Sequence, residues 1–138
     1  MKYPNYGRMT PNFPHKFLAF TALLGAFTVI AGAFGAHALA DRLPANALEV
    51  WKTAVFYQFV HVLAILALPT GKQTNLFWLG GVFLFSGSLY VLSTNSLHQL
   101  PLQWLGPVTP LGGLLFIAGW LSYARKLWQD KAENGGKA

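Results

Sequence analysis

FLAFTALLGAFTVIAGAFGAHA, residues 17 to 38, carries no Asp, Glu, Lys or Arg from one end to the other. A helix needs about 20 apolar residues to cross the hydrocarbon of a bilayer, and this stretch is long enough. Lys16 ahead of it and Ala36-His37-Ala38 at its end also imitate a signal peptide with a small-residue cleavage site. The apolar part of a signal peptide has about 7–15 residues, however, and this run is longer, so it reads as a span. Three more stretches are also long and apolar enough to cross, at about residues 48–68, 74–94 and 104–124. Four spans in one short chain decide the fold class.

Composition agrees. Of 138 residues, 54% are hydrophobic and 10% charged, with mean hydropathy +0.40. A soluble domain carries about 25% charged residues. The absence of cysteine excludes disulfides, thiolate metal ligands and Cys nucleophiles. The net charge of +6 does not point to nucleic acid, because the basic residues sit in the tails and beside apolar segments. Attraction to anionic lipid headgroups accounts for that placement.

The expected architecture is all-α, an integral-membrane four-helix bundle over residues 17–124. A basic, proline-bearing tail (1–16) precedes it and a basic tail (125–138) follows. Pro69-Thr70-Gly71-Lys72 reads as a tight turn. Asn46 followed by Glu49 reads as a capping box opening the second span. Lys2, Arg8, Lys16, Lys72, Arg125, Lys126, Lys131 and Lys137 fall on one side, and only Arg42 and Lys52 on the other. Positive charge stays on the cytoplasmic face, so both termini are expected there. Trp51, Trp78, Trp104 and Trp128 fall near span ends, where an interfacial belt would place them, with Trp120 slightly inside.

Helices in lipid associate by close backbone approach and interhelical hydrogen bonds. Gly25, Gly32 and Ala36 share one face of the first span, with Gly35 adjoining, and Gly112, Gly113 and Gly119 offer a matching surface on the fourth. These are read as packing positions. Pro110 implies either a kink in the fourth span, with Thr109 satisfying the freed carbonyl of Gly106, or a helix that begins near Thr109.

FYQFVHVLA, residues 56 to 64, puts an amide and an imidazole at the waist of the second span. Tyr57, Gln58 and His61 share a stripe, since residues three and four apart are helical neighbours. At about 1.5 Å of rise per residue, Ser86 in the third span lies about 3 Å from the level of Gln58. A polar seam between spans two and three, with Gln58 bonded to Ser86, is therefore expected. His61 is read first as a fastener between helices, although an intramembrane ionisable group is also a functional candidate. His37 cannot share a metal with His61, because about 18 Å of helix separates their levels. It is expected to meet the outer loop at Asp41 or Glu49. No HExxH, no Ser-His-Asp set and no acid in the interior of a span is present (Glu49 stands at the very start of the second), so neither a metal site, a cofactor nor an enzyme is expected.

Three ordered stretches resemble a known family: GAFGAHAL at 32–39, FYQFVHVLAIL at 56–66 and TPLGGLLFIAGW at 109–120. They look like the small proteins of domain-of-unknown-function family 423, which includes bacterial inner-membrane proteins and eukaryotic relatives called transmembrane protein 256. The likeness covers about residues 16–125. Gly32, Gly35, Ala36 and His37 match the first motif, Tyr57, Gln58 and His61 the second, and Thr109, Pro110, Gly112, Gly113 and Trp120 the third. The resemblance implies four helices in a bacterial inner membrane and lends no activity. The expected role is a non-enzymatic scaffold or accessory component, in contact with membrane lipids, that associates with itself or with a larger membrane complex. The alternatives are a small permeation or transport element using the Gln58/His61 seam, or a binder of a lipid or quinone headgroup at His61.

Overall fold

The computed structural model describes residues 13–68 and 70–135, the last five by their backbone alone. Most of the tail expected at 1–16, Pro69 of the expected turn, and Lys2, Arg8 and Lys137 of the charge count lie outside these residues. The described chain forms α1 (His15–His37), α2 (Ala45–Ala67), α3 (Lys72–Ser93), a short α4 (Asn95–His98) and α5 (Val108–Gly135), with a 3-10 turn at Gln103–Leu105. Four helices are long and apolar enough to cross a membrane. Their outward positions are apolar too: Leu23, Ile30, Leu76 and Leu121 are each more than 60% exposed. A water-soluble monomer does not leave so much contiguous apolar surface uncovered, whereas lipid covers it without cost.

Prolines set where three of the helices start. Pro14 and Pro44 precede α1 and α2 in extended conformations, and neither helix has a side-chain cap. The expected capping box is therefore absent. Asn46 lies inside the first turn of α2, and the Glu49 carboxylate instead accepts from Lys52 Nζ at 2.7 Å on the exposed surface. Pro107 precedes α5, which puts Pro110 in its first turn. An N–H at that position has no intrahelical acceptor, so the ring removes nothing and no kink follows. Pro110 is exposed and starts a helix rather than packing one. Thr109 serves another purpose: its Oγ1 lies 2.6 Å from Ser88 Oγ of α3. At the other end, α5 continues helical to Gly135, about three turns beyond the expected end of the span.

α1 packs on α2, α2 on α3, and α3 on α5. Small residues make these approaches possible. A Cβ on Gly35 would lie 2.6 Å from the Trp51 indole, and that indole donates from Nε1 to the carbonyl of Ala31 at 2.9 Å. Gly25 and Gly32 face Val62 and Val55 of the same helix α2. The glycines of α5 face α3 instead, so the two stripes do not match one another as expected. Gly119 makes the notch for Trp78, and in return Gly81 makes the notch for Phe116. Trp78 is consequently 0% exposed and sits in a core with Ala64, Ile65, Val82 and Phe116. The expected tryptophan belt shrinks accordingly. Trp51 and Trp78 are internal packing residues, and only Trp104 and Trp128 (67% and 81% exposed) stand free at helix ends.

α3 is not regular. Val82–Ser86 forms a π-helical turn, which the sequence reading did not foresee. Gly112 of α5 presses directly on this widened turn: a Cβ there would lie 2.7 Å from Phe85 Cα and 2.8 Å from the Leu84 carbonyl carbon. Gly113, by contrast, has only the Phe85 ring at 3.8 Å and is not a close approach. The two neighbours should therefore respond differently to one added methyl group. Gly112→Ala is expected to lower stability in detergent by about 1–3 kcal/mol, since the obstructing atoms are backbone and cannot step aside. Gly113→Ala is expected to be near neutral. Thermal unfolding of the two variants side by side checks this, and equal effects would contradict it.

Candidate functional site

The waist of α2 supplies the site. Gln58 and His61 are 2% and 3% exposed, one turn apart on a helix whose neighbouring positions Ala54, Val62 and Ile65 are also buried. An amide or imidazole placed there has no water to bond, so its partners must come from the bundle.

Gln58 uses both ends of its amide. Nε2 donates to the carbonyl of Leu24 in α1 at 3.3 Å, and Oε1 accepts from the Tyr90 hydroxyl of α3 at 3.1 Å. The Leu24 carbonyl also receives Thr28 Oγ1 at 2.7 Å. Tyr90 is steadied by Trp51, whose ring centroid is 4.6 Å away. The expected bond from Gln58 to Ser86 does not form. Ser86 is 0% exposed, and its Oγ has no hydrogen-bond partner among the described residues. Tyr90, rooted one turn further along α3, makes the bond instead, with a longer side chain that leans toward the N-terminus of its own helix.

His61 turns to the other flank. Its Nδ1 is 2.8 Å from the Tyr57 carbonyl, and Trp120 Nε1 of α5 points at its Nε2 from 3.2 Å. An indole nitrogen can only donate, so Nε2 must accept and the proton of the neutral ring sits on Nδ1, donating to Tyr57. A proton on Nε2 would face the indole N–H head-on. Phe116 stacks on the imidazole with centroids 3.6 Å apart and planes 13° apart, and Trp78 meets it edgewise. Two residues of α2 thus touch the three other spans.

Tyr57 contributes less than the shared stripe implied. It is 38% exposed, its ring lies on Phe85 and Phe116, and its hydroxyl has no hydrogen-bond partner among the described residues. Its carbonyl is what serves the site. The seam expected between spans two and three is better described as two half-sites, one facing α1 and α3, the other α5. His37 stands exposed at the end of α1 and bonds neither Asp41 nor Glu49. Among the described residues no three His, Cys, Asp or Glu side chains group as metal ligands. Tyr90, Trp120 and Phe116 were the residues that sequence reasoning missed. Trp120 had one available signal: an indole placed inside the span rather than at its end needs an acceptor.

The profile of the family described as "Protein of unknown function (DUF423)" matches residues 31–113. The chain belongs to this family. That stretch holds His37, Tyr57, Gln58, His61, Ser86 and Tyr90, while Trp120 lies beyond it. A UPF0382 membrane protein of Staphylococcus saprophyticus is 41% identical over 113 residues, covering 76% of this chain and 90% of the relative. One from Haemophilus influenzae is 39% identical over 126 residues, covering 86% and 98%. A UPF0382 inner membrane protein of Escherichia coli is 39% identical over 112 residues, covering 75% and 82%. No solved structure matches the chain. As a member of this family with four membrane-length helices, the chain is a multi-pass membrane protein of uncharacterised function. The inner-membrane placement expected from its sequence agrees with the Escherichia coli relative.

Proposed function

We propose that this protein is a non-enzymatic accessory component of a membrane complex, in which Gln58 and His61 fasten helices and transport nothing. The observation that carries this reading is the engagement of every polar end of the two side chains inside the chain. Leu24 and Tyr90 take the amide, and Tyr57 and Trp120 take the imidazole. A relay needs a group that can change partners. His61 is clamped between an indole donor, a carbonyl acceptor and the face of Phe116. The same clamp argues against a lipid or quinone headgroup at His61, because no face of the ring is left to receive one. Each interhelical bond contributes about 0.6 kcal/mol and up to about 1.7, enough to set a bundle geometry but not to define a reaction.

The accessory part of the reading draws on the outer side of α1 and α2. There Val29, Ala36, Val55, Phe56 and Phe59 line a groove of about 400 Å³. Ala36 is small and exposed and leaves room there for a side chain of another helix. Chemical crosslinking in native membranes is expected to capture a species larger than the monomer; a chain found only as monomer, with nothing co-purifying, would contradict the proposal. The transport alternative is separated in proteoliposomes. Proton and ion flux through vesicles holding the wild-type chain is expected to equal that of protein-free vesicles, and His61→Ala is expected to lower thermal stability with flux unchanged. Flux above background that His61→Ala abolishes in a folded protein would favour the alternative.

A further inference from the structure

The N-terminal turn of α3 and the late turns of α5 meet at the end of the bundle where α1 begins. Between them lies a recess of about 340 Å³ lined by Lys72, Gln73, Thr74, Ser122, Arg125 and Lys126. Its floor is fixed: Thr74 Oγ1 and Ser122 Oγ are 3.0 Å apart and tie the two helices together. Lys72 and Arg125 enter it from opposite sides. Neither has a hydrogen-bond or ion-pair partner among the described residues, whereas Lys126 and Asp130 have interactions of their own. Among the described residues no acidic side chain lines the recess.

Lys72 is also in a place that helix electrostatics disfavours. It opens α3, and the first turn of that helix holds no acid. The positive end of a helix dipole repels a cation and attracts an anion. A cation held there beside a second cation, with both unpaired, is a local conflict that an anionic ligand resolves. The backbone N–H groups of the same turn add donors to it.

A second groove of about 320 Å³ shares Gln73, Ser122 and Arg125 with the recess and has an apolar side at Ala118 and Leu121. Ala118 lies about two turns and Leu121 about one turn deeper along α5 than Arg125, and Leu121 faces outward at 66% exposure. A free phosphate has no use for such an extension. We propose that the recess binds the phosphate of one anionic glycerophospholipid, with Lys72 and Arg125 as its charged contacts, the Thr74–Ser122 hydroxyl pair beneath it, and an acyl chain lying along Ala118 and Leu121. The site is separate from the Gln58 and His61 half-sites, so it stands or falls independently of the fastening role.

Native mass spectrometry of the full chain, purified in detergent and offered phosphatidylglycerol or phosphatidylcholine of identical acyl chains, tests the proposal. Preferential retention of phosphatidylglycerol is expected. Lys72→Gln and Arg125→Gln are each expected to weaken it about fivefold, the size of one basic residue's attraction to an anionic surface. Lys16→Gln removes the same charge at the same end of the bundle but outside the recess, and is expected to leave retention intact. Ala118→Phe, which fills the groove without touching charge, is expected to weaken it. Lys72 and Arg125 are both exposed, so neither substitution is expected to disturb folding. Equal retention of both lipids, an equal loss in Lys16→Gln, no loss in Lys72→Gln, or displacement of the lipid by equimolar inorganic phosphate would overturn the proposal.

Discussion

A carboxamide in the middle of a membrane must find its hydrogen bonds inside the protein, because hydrocarbon offers none. Gln58 finds a carbonyl on α1 and a phenol on α3, and one turn away His61 finds an indole on α5. Each contact is weak by itself, yet each is directional, and together they fix how three helices are turned about a fourth. Apolar packing in lipid is less discriminating, since lipid tails compete with leucine on nearly equal terms. The polar waist of α2 therefore does what a hydrophobic core does in water: it selects one arrangement from many that would bury similar surface.

Glycine complements these bonds by deciding how close the helices come. Gly35 lets the Trp51 indole reach the backbone of α1, and Gly112 lets α5 lie against the widened turn of α3. The exchange between α3 and α5 is reciprocal, with Trp78 seated at Gly119 and Phe116 seated at Gly81. Phe116 then forms the platform under His61. A chain of contacts thus runs from a notch in α3 through an aromatic ring of α5 to the imidazole of α2. Loss of the notch would be felt at the waist.

Much of this was legible in the sequence. The four spans follow from apolar length, and the burial of Gln58 and His61 follows from their chemistry. The partners did not follow. An even ruler of rise per residue placed Ser86 opposite Gln58, but depth says nothing about reach, and the bond goes to Tyr90. Tyr90 wins because its side chain is long and leans back along its helix. The π turn at Val82–Ser86 lies against Gly112 and left no mark in the periodicity of α3. Trp78 reads as interfacial by position along the chain and is buried by a glycine of another helix. Asn46 and Glu49 have the spacing of a capping box, but Pro44 begins α2 too early for them to act as one. Except at Asn46, a local pattern was overruled by a partner distant in sequence.

The central claim is that His61 is held as a fastener between α2 and α5. Solid-state NMR of the full chain in lipid bilayers, with histidine labelled by nitrogen-15, reads the proton on each ring nitrogen directly. The account predicts a protonated Nδ1 and a bare, hydrogen-bonded Nε2 whose resonance moves when Trp120 is replaced by Phe. A proton on Nε2, or an Nε2 signal indifferent to Trp120→Phe, would contradict it.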